Sequence, residues 1–180
     1  MEPIPLDNEL SIKKLEPNNQ KDVWIARQLD KDSLIAGADG YLWHIEELMK
    51  RAKSYLAYSD IYGSPYAIYH RQNPVGYLEI SHISEWFKNV ELAYALLNTE
   101  RGKGYATKTL KVISKIILED IINDIKSVSL IIDLNNIKSQ NVAIRAGFID
   151  DGLSDEQHMI QEYITYTKTK RILYKEQRKK

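Results

Sequence analysis

The stretch Leu97-Asn98-Thr99-Glu100-Arg101-Gly102-Lys103-Gly104-Tyr105-Ala106-Thr107 decides how this chain reads. It follows an apolar run, Val90–Leu97, of strand character. It opens a long helical pattern reaching to about Asp120, in which Ala106, Leu110, Ile113 and Ile117 recur on one face. Two glycines one residue apart expose consecutive backbone N–H groups, and the following helix adds the positive end of its dipole. Such strand–loop–helix junctions bind phosphate oxygens. Arg101, Lys103 and Lys108 add local positive charge. A solvated turn between a strand and a helix carries the same residue types, so the loop alone leaves both readings open. Two rival phosphate loops do not fit. The single residue between Gly102 and Gly104 breaks the G-x-x-x-x-G-K-[ST] spacing, and a G-x-G-x-x-G fingerprint needs a glycine where Thr107 stands.

Outward from this loop, strand and helix patterns alternate. Leu10–Leu15 reads as a first strand, and Pro17 with Asn18-Asn19 as a break. Asp22–Leu29 and Tyr41–Tyr55 read as helices either side of a Gly37–Gly40 turn. Tyr66–Arg71 and Val75–Ile83 read as strands joined by an Asn73-Pro74 hairpin turn. Beyond the long helix, Ser127–Asp133 is a continuous apolar run that suits a buried strand. A short helix begins at Asn135/Asn136 and ends at Gly147, a C-cap glycine, followed by strands at Phe148–Gly152 and Met159–Lys168. The fold class is α/β or α+β with a mixed sheet.

The chain has 180 residues, enough for about one domain. We read residues 1–168 as that domain and 169–180 as a basic C-terminal extension. The 25 basic and 25 acidic residues cancel, which argues against a protein that binds nucleic acid over its whole surface. Residues 168–180 hold seven of the basic residues and one acid, leaving an acidic body of 18 basic and 24 acidic residues. A salt-sensitive nucleic-acid contact by this tail is a third-ranked reading, behind a solvated extension. There is no cysteine, so disulfides, thiolate metal sites and a thiol nucleophile are excluded. No basic segment precedes an apolar stretch at the N-terminus, and no apolar run approaches the ~20 residues of a membrane span. The expectation is a cytoplasmic protein without a membrane or nucleic-acid partner.

Arg101-x-x-Gly104-x-Ala106 resembles the R/Q-x-x-G-x-G/A signature of the GNAT (Gcn5-related) N-acetyltransferases. Downstream, Asn136-x-x-Ser139-x-Asn141-Val142-Ala143-x-Arg145-x-Gly147-Phe148 is similar to the N-x-x-S…G-F segment of that family. Glu91-Leu92-Ala93-Tyr94-Ala95-Leu96 resembles the fourth-strand segment of its ribosomal-protein N-terminal acetyltransferase branch. The order and distance of the three matches agree with the family. The resemblance implies the GNAT acyl-CoA fold: a mixed, mostly antiparallel sheet of six to seven strands, flanked by about four helices. The sheet would splay between its fourth and fifth strands, Val90–Leu97 and Ser127–Asp133. It implies acetyl-CoA as cosubstrate and no metal. The pyrophosphate would lie on the backbone of Arg101, Gly102, Lys103, Gly104, Tyr105 and Ala106, with a hydroxyl from Thr107. The pantetheine arm would pair along Leu96, Leu97 and Asn98, and Asn136 and Ser139 would touch the coenzyme. For Asn136 a helix N-cap is the competing role, and both can hold.

The implied activity is transfer of acetyl from acetyl-CoA to a primary amine by direct attack on the thioester. The amine must lose a proton from a pKa of about 10.4, and the tetrahedral oxyanion needs a donor, for which a backbone N–H near Leu96 is suited. Candidate bases are Glu91, which some relatives match with a carboxylate acting through water, and Glu79, beside Tyr77 and Ser81 on one strand face. His82 and His158 rank lower, and His44 and His70 lower still. The proton donor departs from the family pattern: Ala143 stands where relatives often place a tyrosine, and Ile131 where some place a glutamate. Water, or a phenol from Tyr163, Tyr166 or Tyr94, takes that role, or the thiolate leaves unaided. The acids of Asp150-Asp151-Gly152-Leu153-Ser154-Asp155-Glu156 would attract a cationic acceptor, and Trp24, Tyr41, Trp43 and Trp86-Phe87 would wall the cleft or sit in the core. The expected assembly is a monomer or homodimer. The alternative is a non-catalytic acyl-CoA-binding sensor or regulatory module of the same fold.

Overall fold

A computed structural model describes residues 2–16, 18–30, 61–81, 83–84, 86–120, 122–153 and 163–169. The chain forms two compact units, Met1–His82 with Ala93–Ala106, and Ile83–Leu92 with Thr107–Lys180. The helix expected at Tyr41–Tyr55 lies outside the described residues, as do His44, His82 and His158.

In the first unit, β1 (Ile4–Pro5) pairs antiparallel with β2 (Leu10–Lys14), and β2 with β3 (Ser64–His70), which pairs antiparallel with β4 (Asn73–Ile80). The two-residue β1 is the strand that pattern reading missed; it is too short to show a period. Leu10 and Ile12 alternate inward along β2, as a half-buried strand requires. Helix α1 (Gln20–Asp30) starts behind Asn19, whose side chain accepts the Lys21 N–H at 2.9 Å and so caps it. Its Ile25 and Leu29 pack with Leu15, Ala67, Tyr77 and Ala95 into one buried cluster.

The β3–β4 turn differs from expectation. Asn73 and Pro74 lie within β4, and the turn is Arg71-Gln72, with Arg71 in the left-handed region at φ 56°. A tight hairpin needs positive φ, which proline cannot adopt. Pro74 instead sits opposite Tyr69, at the register shift after Ile68, where a missing N–H is tolerated.

Strand β5 (Asn89–Leu96) is shared by both units. At its C-terminal end, in the first unit, it lies tight against β4: a Cβ added at Gly76 would stand 2.5 Å from the Ala95 carbonyl oxygen and from Leu96 Cδ2. At its N-terminal end, in the second unit, Asn89–Glu91 pairs parallel with Ser127–Ser129 of β6 (Ser127–Asp133). The parallel ladder runs from Asn89↔Ser127 to Glu91↔Ser129. The pairing order is β1-β2-β3-β4-β5-β6-β8-β7.

Helix α2 (Tyr105–Leu118) has its first two residues in the first unit; the second unit holds the rest of it, with β6, α3 (Ile137–Arg145), β7 (Ile149–Leu153) and β8 (Tyr163–Thr169). α2 begins at Tyr105 rather than Arg101, because the glycine loop is not helical. Its apolar face is the expected one: Ala106, Leu110, Ile113 and Ile117 are all buried. α3 ends as foreseen at Gly147, φ 89°, where the Phe148 N–H donates to Ala143 O and the Gly147 N–H to Ile144 O, a Schellman termination. β8 pairs antiparallel with both β6 and β7. Lys168, which charge counting assigned to the tail, is a fully buried residue of β8. Its Nζ donates to the Ala146 carbonyl at 2.9 Å, a cation at the negative end of α3, and lies 5.9 Å above the Phe148 ring.

Candidate functional site

The loop that follows β5 belongs, up to Ala106, to the first unit. The Leu97 N–H donates to Val75 O at 3.0 Å. Backbone groups alternate between the two edges of a strand, so those of Leu96 face away from β4. There the Arg101 Nε donates to the Leu96 carbonyl at 3.1 Å, pinning the strand end to the loop. Asn98–Glu100 makes one short 3-10 turn, with Asn98 and Thr99 exposed.

Gly102 and Gly104 then adopt φ 80° and 82°, the left-handed region that L side chains rarely enter. Nothing lies within 4 Å of the place a Cβ would occupy at either. Both are exposed, so the loop offers an open surface of backbone at the start of α2. Lys103 between them pairs with Glu100 at 2.9 Å, and that carboxylate raises the ammonium pKa. The pair is solvent-exposed and contributes little to stability. This loop fits a phosphate: exposed amides, space above the glycines, and a helix N-terminus behind them.

Tyr105, the first residue of α2, is held from the hairpin. Its ring stacks on His70 with centroids 5.0 Å apart and planes at 28°. His70 Nε2 lies 3.3 Å from Glu9 Oε2, while Glu9 Oε1 takes Arg71 at 2.6 Å. Hydrogen bonds from Arg71 and then His70 hold the Glu9 carboxyl below its ordinary value. His70 and Tyr105 line a cleft of about 630 Å³ together with Lys21 and Trp24 of α1, Asn73–Val75, and Leu97, Thr99, Glu100 and Lys103. Trp24 lines this cleft, with 46% of its surface exposed.

Glu79 lies on β4 in this unit, half-buried, and accepts the Tyr77 hydroxyl at 3.0 Å. Its expected same-strand neighbour is therefore its partner.

The second unit holds the remaining candidates. Glu91 is half-buried on β5, opposite Ser129. Tyr163 opens β8 opposite Asp133, and its side chain lies outside the described residues. Tyr166 is buried, which pushes its phenol pKa up, with Asp150 adding to the shift. Asn136 caps α3 by accepting the Ser139 N–H at 3.1 Å. Ala143 is fully buried on α3. Asp150 and Asp151 are strand residues rather than loop residues. Asp150 accepts the Gly152 N–H at 2.8 Å and Asp151 the Thr167 hydroxyl at 3.2 Å. Trp86 and Phe87 are neither core nor cleft wall in this unit, with 93% and 78% of their surface exposed.

Sequence reading passed over the His70–Tyr105 stack and the buried Asp22. Asp22 accepts the Tyr69 hydroxyl at 2.6 Å and the Glu16 N–H at 2.8 Å. Neither arrangement has a local pattern, since the partners come together only through the pairing of β2 with β3 and the docking of α1.

The sequence matches the family described as an acetyltransferase (GNAT) domain over residues 15–149. No protein of curated function matches it. Among solved structures of similar fold is RimL, a ribosomal L7/L12 alpha-N-protein acetyltransferase in complex with coenzyme A. It has a TM-score of 0.77 and 18% identity, covering 93% of this chain and 98% of that one. A spermidine N-acetyltransferase SpeG chimera from Vibrio cholerae and hSSAT has a TM-score of 0.74 and 17% identity, covering 92% and 99%. The microcin C7 self immunity acetyltransferase MccE, in complex with acetyl-CoA and AMP, has a TM-score of 0.70 and 16% identity, covering 91% and 94%.

Proposed function

The chain belongs to the GNAT acetyltransferase family, and from that premise we propose that it transfers the acetyl group of acetyl-CoA to a primary amine of a small molecule or protein. The observation that carries the reading is the loop at Arg101–Ala106, with two left-handed glycines under open space at the start of α2. In this reading the amides from Arg101 to Ala106 seat the pyrophosphate, with Thr107 beside them. Leu96, Leu97 and Asn98 offer the pantetheine arm a strand edge, and Asn136 and Ser139 contact the coenzyme as well as forming the α3 cap.

Acetyl-CoA supplies the activated acyl thioester. The chain's own groups accept the amine proton and stabilise the oxyanion. The Leu96 N–H, on the edge of β5 that turns away from β4, is the oxyanion donor. Glu91 and Glu79 are the candidate bases, and Glu79 is oriented by the Tyr77 hydroxyl. Tyr163 is the candidate acid for the departing thiolate. The acidic body supports a cationic acceptor, although Asp150 and Asp151 are engaged within their own sheet. A cytoplasmic setting accords with the cysteine-free sequence. Among the described residues, no helix is long and apolar enough to cross a membrane.

The test has two parts. Acetyl-CoA should bind saturably, and Gly104→Glu should abolish binding, because it strains a left-handed position and places a carboxylate at the phosphate seat. Thiol release is then read over aminoglycosides, polyamines, amino acids and basic peptides. No saturable binding overturns the reading. Binding without turnover across the panel favours the second reading, a non-catalytic acyl-CoA sensor, which Ala143 and Ile131, standing where relatives often place a tyrosine and a glutamate, motivate.

A further inference from the structure

We propose that His70 is a positioning residue for the phosphate loop, whose protonation strengthens the grip of that loop on an anionic coenzyme. The inference rests on the coenzyme reading above and adds a regulator to it.

The geometry lies entirely within the first unit. His70, the last residue of β3, stacks on Tyr105 at 5.0 Å. Tyr105 is the residue after Gly104, so the stack fixes the direction in which the loop enters α2. The imidazole is held from behind by Glu9, before β2, which also takes Arg71 of the hairpin turn. The other charged groups lining the same cleft are Lys21 from α1 and the Glu100–Lys103 pair from the loop. Lys21 Nζ donates to the Gln72 carbonyl at 2.8 Å.

Two of these cations, Arg71 and Lys103, each face a carboxylate, so their local charges balance. Histidine is the side chain whose charge changes most readily near neutral pH. A proton on the imidazole adds one positive charge beside the loop, to that of Lys21, with the Tyr105 ring between. Loop order comes from the ring and affinity from the charge, so the two contributions separate by substitution.

The probe is dephospho-CoA, which lacks the 3′-phosphate monoester that would itself titrate in this range, unlike a pyrophosphate diester. Its affinity is measured from pH 5.5 to 8 for wild type, His70→Phe and His70→Ala, with melting temperatures recorded at each pH. Wild type should bind about threefold to tenfold more tightly at the acid end, a gain that added salt diminishes. His70→Phe keeps a ring on Tyr105 without the charge. It should match wild type within about twofold at pH 8 and show a flat profile. His70→Ala should be flat and weaker throughout. Parallel pH profiles in wild type and both variants, with melting temperatures unchanged, overturn the role of His70. Failure of wild type to bind at any pH overturns the coenzyme reading beneath it.

Discussion

At the scale of single residues, the site depends on what glycine permits. Gly76 sits where a methyl group would meet a backbone carbonyl oxygen and the Leu96 side chain at 2.5 Å. A carbonyl oxygen in a strand has nowhere to go, so Gly76→Ala must push β4 from the end of β5. We expect a loss of about 1–3 kcal/mol in urea unfolding. Coenzyme affinity should fall further than stability alone dictates, because the displaced residue is Leu96. Gly102 and Gly104 differ in kind: their constraint is backbone angle, with open space around them. That the loop needs glycines was legible from the G-x-G spacing and the strand before it. The need at Gly76 was not, because a lone glycine in an apolar run says nothing of which strand lies beside it.

At the scale of elements, the helix ends show how local hydrogen bonds set the boundaries. α3 is capped at its start by Asn136 and closed at its end by Gly147 and by Lys168 from β8. Asn136→Ala should cost about 1 kcal/mol, seen as a lowered melting temperature. Asn136→Asp preserves the cap acceptor and should keep stability near wild type while adding a negative charge. If Asn136 also contacts the coenzyme, acetyl-CoA affinity falls in both variants. If it is only a cap, the Asp variant binds as wild type does. Most elements were readable from period and punctuation: the α2 face from Ala106 to Ile117, the buried β6 run, and the α3 stop at Gly147. The hairpin was misplaced by two residues because Asn-Pro is a common turn signal, whereas here the register shift in β3 absorbs Pro74 into the strand.

At the scale of the whole molecule, one buried carboxyl makes stability depend on pH. Burial raises the Asp22 pKa above its ordinary 3.8, against the lowering effects of the Tyr69 hydroxyl and the Glu16 N–H. The same contact, with burial, drives the Tyr69 phenol upward. A raised folded-state value means the folded chain holds this proton more tightly than the unfolded chain. The stabilisation is fully present below about pH 3.8 and is lost as pH rises through the raised value. Asp22→Asn removes the titration. The stability advantage of wild type over Asp22→Asn should therefore be largest at the acid end and shrink toward neutral pH in urea titrations. An advantage that grows with pH would contradict the assignment.

The sequence by itself determined the order of most elements and the family, and it raised the phosphate-loop reading. Each of these rests on short-range spacing: a glycine pair between strand and helix, an N-x-x-S start and a G-F stop on one short helix, and apolar periods of two and 3.6. Only the tertiary structure decided which distant residues meet. It set His70 on Tyr105, sealed Asp22 under Tyr69, brought Lys168 to the end of α3, and left Trp86 and Phe87 in solvent. The physical reason is that such contacts follow from strand register and helix docking. These are collective outcomes of burial over the whole chain, and no local window of residues encodes them.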